Sequence, residues 1–189
     1  MSFSLGQGRQ LVKLARSSIF SEPIKTDSFE ERRGVFVTLS SYPSRELRGC
    51  IGFTEPIFSL RQAVVKAAKA AAFEDPRFSP LADDERFTVE VSVLTVPELM
   101  DAAKPEDYLG RIRIGRDGLI VVQGRHSGLL LPQVFPEWGA DAKKALDMTC
   151  SKAGLPKGAW KGKDCRVYKF QAQVFSEQEP EGEIIEVKE

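Results

Sequence analysis

The chain has 189 residues, with 27 Lys and Arg against 27 Asp and Glu, so no overall charge draws it to nucleic acid or to an anionic membrane. Its 42% hydrophobic and 29% charged composition is that of a globular protein able to bury its own core, not of a disordered or fibrous one. A signal-peptide pattern and any apolar run of the roughly eighteen residues needed for a membrane span are both absent, and Cys50, Cys150 and Cys165 lie far apart, so a cytoplasmic protein with reduced thiols and no membrane partner is expected.

Leu11, Leu14, Ala15, Ser18 and Ile19 fall at helical spacing and predict an amphipathic helix over Gln7 to Phe20. Gly34 to Leu39 and Leu47 to Phe53 read as two strands joined by a turn-rich Ser40-Ser41-Tyr42-Pro43-Ser44, hence a hairpin. Ser59 is an N-cap for an alanine-dense helix to Glu74, which Pro76 ends. Phe87 to Val96 follows as a strand with Phe87, Val89, Val91 and Val93 on one face and Glu90 and Ser92 on the other. The second half predicts a strand at Arg111 to Ile114, a turn at Gly115 to Gly118, strands at Leu119 to Gln123 and Gly128 to Leu131, and a helix from the cap Asp141 to about Ala153, closed by Gly154 and Pro156. Cys165 to Phe175 closes the series as one strand. Both halves thus read hairpin, helix, strand. The expected fold is α+β, a mixed and largely antiparallel sheet with helices and a duplicated unit. Residues 1 to 176 are expected to form a single domain of two packed sub-structures, and 177 to 189, acidic and aperiodic, a flexible tail; a short strand at Ile184 to Val187 is the alternative.

Chemistry concentrates in Leu47-Arg48-Gly49-Cys50-Ile51-Gly52. Strand alternation puts Arg48 and Cys50 on one face, with Cα atoms about 6–7 Å apart, close enough for the cation to favour a thiolate. Gly49 and Gly52 leave room for a ligand or another backbone to approach. The alternative is a packed Cys50, a small hydrophobe among tightly packed glycines. Glu90, in a run of β-branched residues, needs a partner, which Arg48 would supply; Arg48, Cys50, Glu90 and Ser92 would then form one polar patch, unless that face is merely the wet side of the sheet. Gln133, an amide among apolar neighbours, is a further candidate for ligand contact. The one histidine, His126, sits in a turn-like stretch and is not expected to serve Cys50 as a base. Asp75 and Arg77 read as a structural corner, and Trp160 as a local surface anchor. The glycine pairs lack the context of a phosphate loop, and no ligand spacing predicts a metal or cofactor.

The Leu47 to Gly52 hexamer (LRGCIG) resembles the signature of the AMMECR domain family, as do Gly34 to Leu39, Asp75 to Phe78, Glu90 to Leu94, Gly128 to Val134 and Cys150 to Leu155, in that family's order. The resemblance implies an α+β fold of two sub-structures around a cleft and, since the family has no settled activity, a suspect surface more than a reaction. It also implies a link to Memo-like and radical SAM proteins in a shared modification or redox pathway. The leading expectation is a small-molecule or modified-group site, with Cys50, Arg48 and Glu90 as catalytic candidates and Gly49, Gly52, Ser92 and Gln133 as ligand contacts. A protein-interaction or regulatory module is the second. RNA binding through Arg111, Arg113, Arg116, Arg125 and Lys161 to Lys163 is the third, disfavoured by the neutral net charge.

Overall fold

The computed structural model describes residues 2–187, which divide into two compact units. One holds the chain up to Leu94 together with the segment from Gln173 onward, and the other spans Thr95–Ala172.

The first unit opens with α1 (Leu5–Phe20), started by a capping box in which Ser4 and Gln7 satisfy each other's free backbone N–H groups. Its apolar stripe of Leu11, Leu14, Ala15 and Ile19 is buried, and Gly8 lies so close to Phe175 that a Cβ would sit 2.1 Å from the ring. The hairpin β1 (Val35–Ser41) and β2 (Leu47–Phe53) leads into α2 (Leu60–Phe73), N-capped by Ser59. The strand β3 (Phe87–Leu94) then pairs antiparallel with β1. The alanine face of α2 lets the helix lie close on β1 and β2. With Val35, Val37, Leu39, Val89 and Val91 it forms the core on one side of the sheet.

In the second unit the two-residue β4 (Glu98–Leu99) and α3 (Asp107–Arg111) precede the hairpin β5 (Gly118–Gln123) and β6 (His126–Leu130). There follow the single turn α4 (Val134–Glu137), α5 (Ala142–Lys152), a 3-10 turn at Ala159–Lys161 and β7 (Arg166–Phe170). The sheet order is β4-β7-β5-β6. In both units the first hairpin strand is an inner strand, flanked by its hairpin mate and by the strand that follows the helix. The expected duplication is visible down to one residue: Gly49 on β2 and Gly128 on β6 each face helix backbone, where a Cβ would sit 2.1 Å from the Ala71 carbonyl oxygen and 2.4 Å from the Ala153 nitrogen.

Four expectations are corrected. Arg111 ends α3 and residues 112–117 turn instead of forming a strand, because the Asp117 carboxylate and the Arg113 carbonyl take up the backbone N–H groups there. The single closing strand is two: at Gln171 the chain leaves β7 and enters β8 (Ala172–Glu177), with the Gln171 N–H and carbonyl bonded to Thr95 Oγ1 and the Thr95 N–H. The acidic segment is not loose through Val187, since β9 (Ile184–Val187) pairs antiparallel with β8, Ile184 is buried, and the Arg9 guanidinium donates to the Ile184 carbonyl. The first sheet thereby runs β2-β1-β3-β8-β9. Trp160 is a core residue, not a surface anchor, with its indole N–H donating to Asp147 at 2.8 Å. No described helix is long and apolar enough to cross a membrane.

Candidate functional site

The face of the first sheet opposite its helices carries four of the sequence-predicted residues, Cys50, Gly52, Glu90 and Ser92. Lateral register aligns Cys50 on β2 with Thr38 on β1, and Thr38 with Glu90 on β3, so the three side chains form one row across three strands. The next row is Gly52, Phe36 and Ser92. Thr38 Oγ1 donates to Cys50 Sγ at 3.3 Å. This is not a wet sheet face: Ser92 is 1% and Thr88 3% exposed, and Glu90 and Cys50 are half-buried.

Burial sets the protonation of the row. It pushes the Cys50 thiol up, and the Glu90 charge adds to this, while the Thr38 hydrogen bond and the Arg77 cation oppose it in part. Burial also raises the Glu90 carboxyl, with no cation or hydrogen-bond donor among the described residues to offset it. The row therefore presents a neutral thiol, a hydroxyl and a carboxyl that takes up a proton more readily than a free glutamate does.

Arg48 does not join the row. Register steps from Leu39–Gly49 to Ser40–Leu47, which leaves Arg48 unpaired in a bulge, and a bulge breaks strict alternation and re-aims the side chain. The guanidinium makes a bidentate pair with Glu85, at 2.7 and 2.8 Å, and donates to the carbonyls of Ser79 and Pro80. Neither the expected pairing with Glu90 nor the expected support of a Cys50 thiolate is made, and the pair with Arg48 holds the Glu85 carboxyl low instead.

Asp75 and Arg77 have a larger part than a corner. β2 is the outer strand of its sheet, so the peptide groups of Cys50 that point away from β1 lack a strand partner. Asp75, buried at the end of α2, accepts the Cys50 N–H at 2.9 Å, and Arg77 Nη2 donates to the Cys50 carbonyl at 3.3 Å. The two side chains are themselves locked in a fork at 2.7 and 2.9 Å, which holds the Asp75 carboxyl far below the usual carboxylate range. Thus the backbone carrying Cys50 is clamped by residues 25 and 27 positions away.

Both candidate glycines have structural reasons. Gly49 admits α2, and a Cβ on Gly52 would sit 2.3 Å from the Val35 carbonyl oxygen, so the space at Gly52 is filled by its own sheet. Gln133 belongs to the other unit, at the residue before α4. His126 opens β6 and is exposed, and Cys150 and Cys165 are buried in the second core. Thr38, absent from the sequence-derived set, is the residue that links Cys50 to Glu90; its polar side chain within the apolar alternation of Val35 to Leu39 was the available signal. Among the described residues no group of three or more His, Cys, Asp or Glu is placed to hold a metal ion.

A α+β chain with antiparallel sheets and a clamped Leu-Arg-Gly-Cys-Ile-Gly edge strand defines a recognisable class. The AMMECR1 family model matches residues 9–175, and the chain belongs to that family. It is 49% identical over 195 residues to Protein MK0488 of Methanopyrus kandleri, covering 97% of this chain and 94% of that one. It is 51% identical over 162 residues to Protein MJ0810 of Methanocaldococcus jannaschii, covering 85% and 81%. The crystal structure of an uncharacterized protein, PH0010, from Pyrococcus horikoshii superposes with a TM-score of 0.87 at 46% identity, covering 97% of this chain and 98% of that one.

Proposed function

We propose that the row Cys50, Thr38 and Glu90 is a recognition site for a small molecule or modified group, with Ser92 at its margin. The observation that supports this best is the lateral register that sets a thiol, a hydroxyl and a half-buried carboxyl, without a partner among the described residues, side by side on adjacent strands. A desolvated carboxyl without a partner weakens a fold, and such groups concentrate at functional sites. Glu90 would donate to a ligand oxygen or nitrogen when protonated and accept from a ligand N–H or O–H when ionised, Thr38 would donate or accept, and Cys50 would supply a polarizable contact. Burial makes Glu90 the group of the row best suited to exchange a proton with a bound ligand, while Cys50, held as a thiol, is not an activated nucleophile in the ligand-free protein. Arg48 acts at one remove by fixing the Ser79 to Glu85 loop beside the strand. A Memo-like or radical SAM protein as source or consumer of the bound group belongs to the same proposal and rests on the family resemblance alone.

Capture from an extract of the source organism, read by native mass spectrometry, tests the proposal. The full chain should retain a small molecule that the Thr38→Val, Glu90→Gln double variant does not. Retention of no small molecule, or equal retention by both proteins, contradicts it. A partner protein held equally by both would favour an interaction module.

A further inference from the structure

The second unit contains a cavity of about 380 Å³ whose lining gathers Arg111, Arg113, Arg116 and Lys169 around Asp117 and Gln171. Four cations against one carboxylate is a local imbalance in a chain of zero net charge. Asp117 does not neutralise it by facing the guanidinium groups. The residue is 2% exposed, its Oδ2 accepts the Arg113 backbone N–H at 3.0 Å, and its Oδ1 accepts from Gln171 Nε2 at 3.1 Å. It braces the turn, in which the N–H groups of Arg116 and Asp117 both donate to the Arg113 carbonyl. Arg111 Nη1 donates to the Asp101 carbonyl, and Lys169 lies 3.9 Å from a largely exposed Glu98 carboxylate, so neither is strongly neutralised. The side chains of Arg113 and Arg116 have no acceptor among the described residues. Like charges held around one concavity repel, and a bound anion removes that repulsion.

The geometry points to an oxyanion site here for a phosphate ester or polyphosphate, separate from the Cys50 row. Guanidinium forks match phosphate oxygens in pairs, Lys169 adds a point charge, and the volume lies in the range of small-molecule sites, about 300–1,000 Å³. A polynucleotide backbone offers the same phosphate chemistry but needs a continuous stripe of cations, which the neutral chain does not suggest.

Isothermal titration of the full chain with inorganic pyrophosphate tests the site. Saturable one-to-one binding is expected, weakened about tenfold or more by Arg113→Gln or Arg116→Gln and unchanged by Arg125→Gln at the β5–β6 turn. All three side chains are exposed, so thermal melts of these variants should match the parent. A short single-stranded oligoribonucleotide, titrated at about 20 mM and about 150 mM salt, separates the two sources of phosphate. Its binding should vanish at the higher salt while pyrophosphate still binds. Tighter, salt-tolerant binding of the oligonucleotide that the Arg113→Gln, Arg116→Gln double variant abolishes would overturn the assigned ligand class. No saturable pyrophosphate binding, or binding unchanged in the double variant, would overturn the site.

Discussion

Asp75→Ala should destabilise the first unit through the clamp on Cys50. The substitution frees the Cys50 N–H at the sheet edge, where its partner is an ionised acceptor at 2.9 Å, and the Arg77 backbone N–H at 3.1 Å. A hydrogen bond to a charged group contributes about 1.5–3 kcal/mol, whereas the Arg77 side-chain pair, with its cation 52% exposed, adds only about 0–1 kcal/mol. The Cys50 bond and this pair alone sum to about 1.5–4 kcal/mol, or roughly 3–16 °C in melting temperature for a chain of this size, and the lost Arg77 backbone bond adds to that. Calorimetry of wild type and variant from pH 7 downward checks both magnitude and sign. Because the folded-state carboxyl is depressed, its contribution is complete above the unfolded aspartate value near ~3.9, shrinks below it, and is lost only as pH falls through the folded-state value. A gap below about 1 kcal/mol at pH 7, or one fully closed by about pH 5, would refute the clamp.

Gly49→Ala should cost about 3 kcal/mol or more by denaturant unfolding, since its Cβ meets helix backbone at 2.1 Å, while Gly6→Ala, with only Ser4 Oγ at 3.8 Å, should be neutral or slightly stabilising. Truncation after Glu177 should lower the melting temperature by several degrees through loss of β9 and of the buried Ile184, worth about 1.5–3 kcal/mol; an unchanged midpoint would restore the flexible tail. Iodoacetamide should label Cys50 before Cys150 and Cys165, because only Cys50 is partly exposed, and its rate should keep rising above the ordinary thiol range. Thr38→Val should slow that labelling near neutral pH and Arg48→Gln should not; the reverse pattern would return Arg48 to the thiol.

Much of the fold was legible because its signals are local. Ser59 and Asp141 cap helices, Gly154 takes a positive φ of 72°, and the alternation of Phe87 to Val93 marks one buried face. What was not legible depends on pairing between distant segments. The bulge that turns Arg48 toward Glu85 has no signature in Leu47 to Gly52, and it reverses the inference drawn from strict alternation. The break at Gln171 sits inside a continuous apolar alternation, and only its bonds to Thr95 reveal it. β9 was masked by its acidic neighbours, although Glu177 is buried against Arg16, Glu186 accepts from Gln173 and Ile184 turns inward. At the site, Cys50, Glu90 and Ser92 shared a face as expected, but the link through Thr38 required the register of three strands.

Glu90 places in the row a half-buried carboxyl with no partner among the described residues, open to a ligand. Carbon-13 NMR of glutamate-labelled protein, with Glu90 assigned by comparison with Glu90→Gln, measures it directly. Glu90 should titrate above the ordinary glutamate value of about 4.3, and that titration should shift when the ligand captured from extract is added. A Glu90 that titrates at or below that value, unmoved by the ligand, would contradict it.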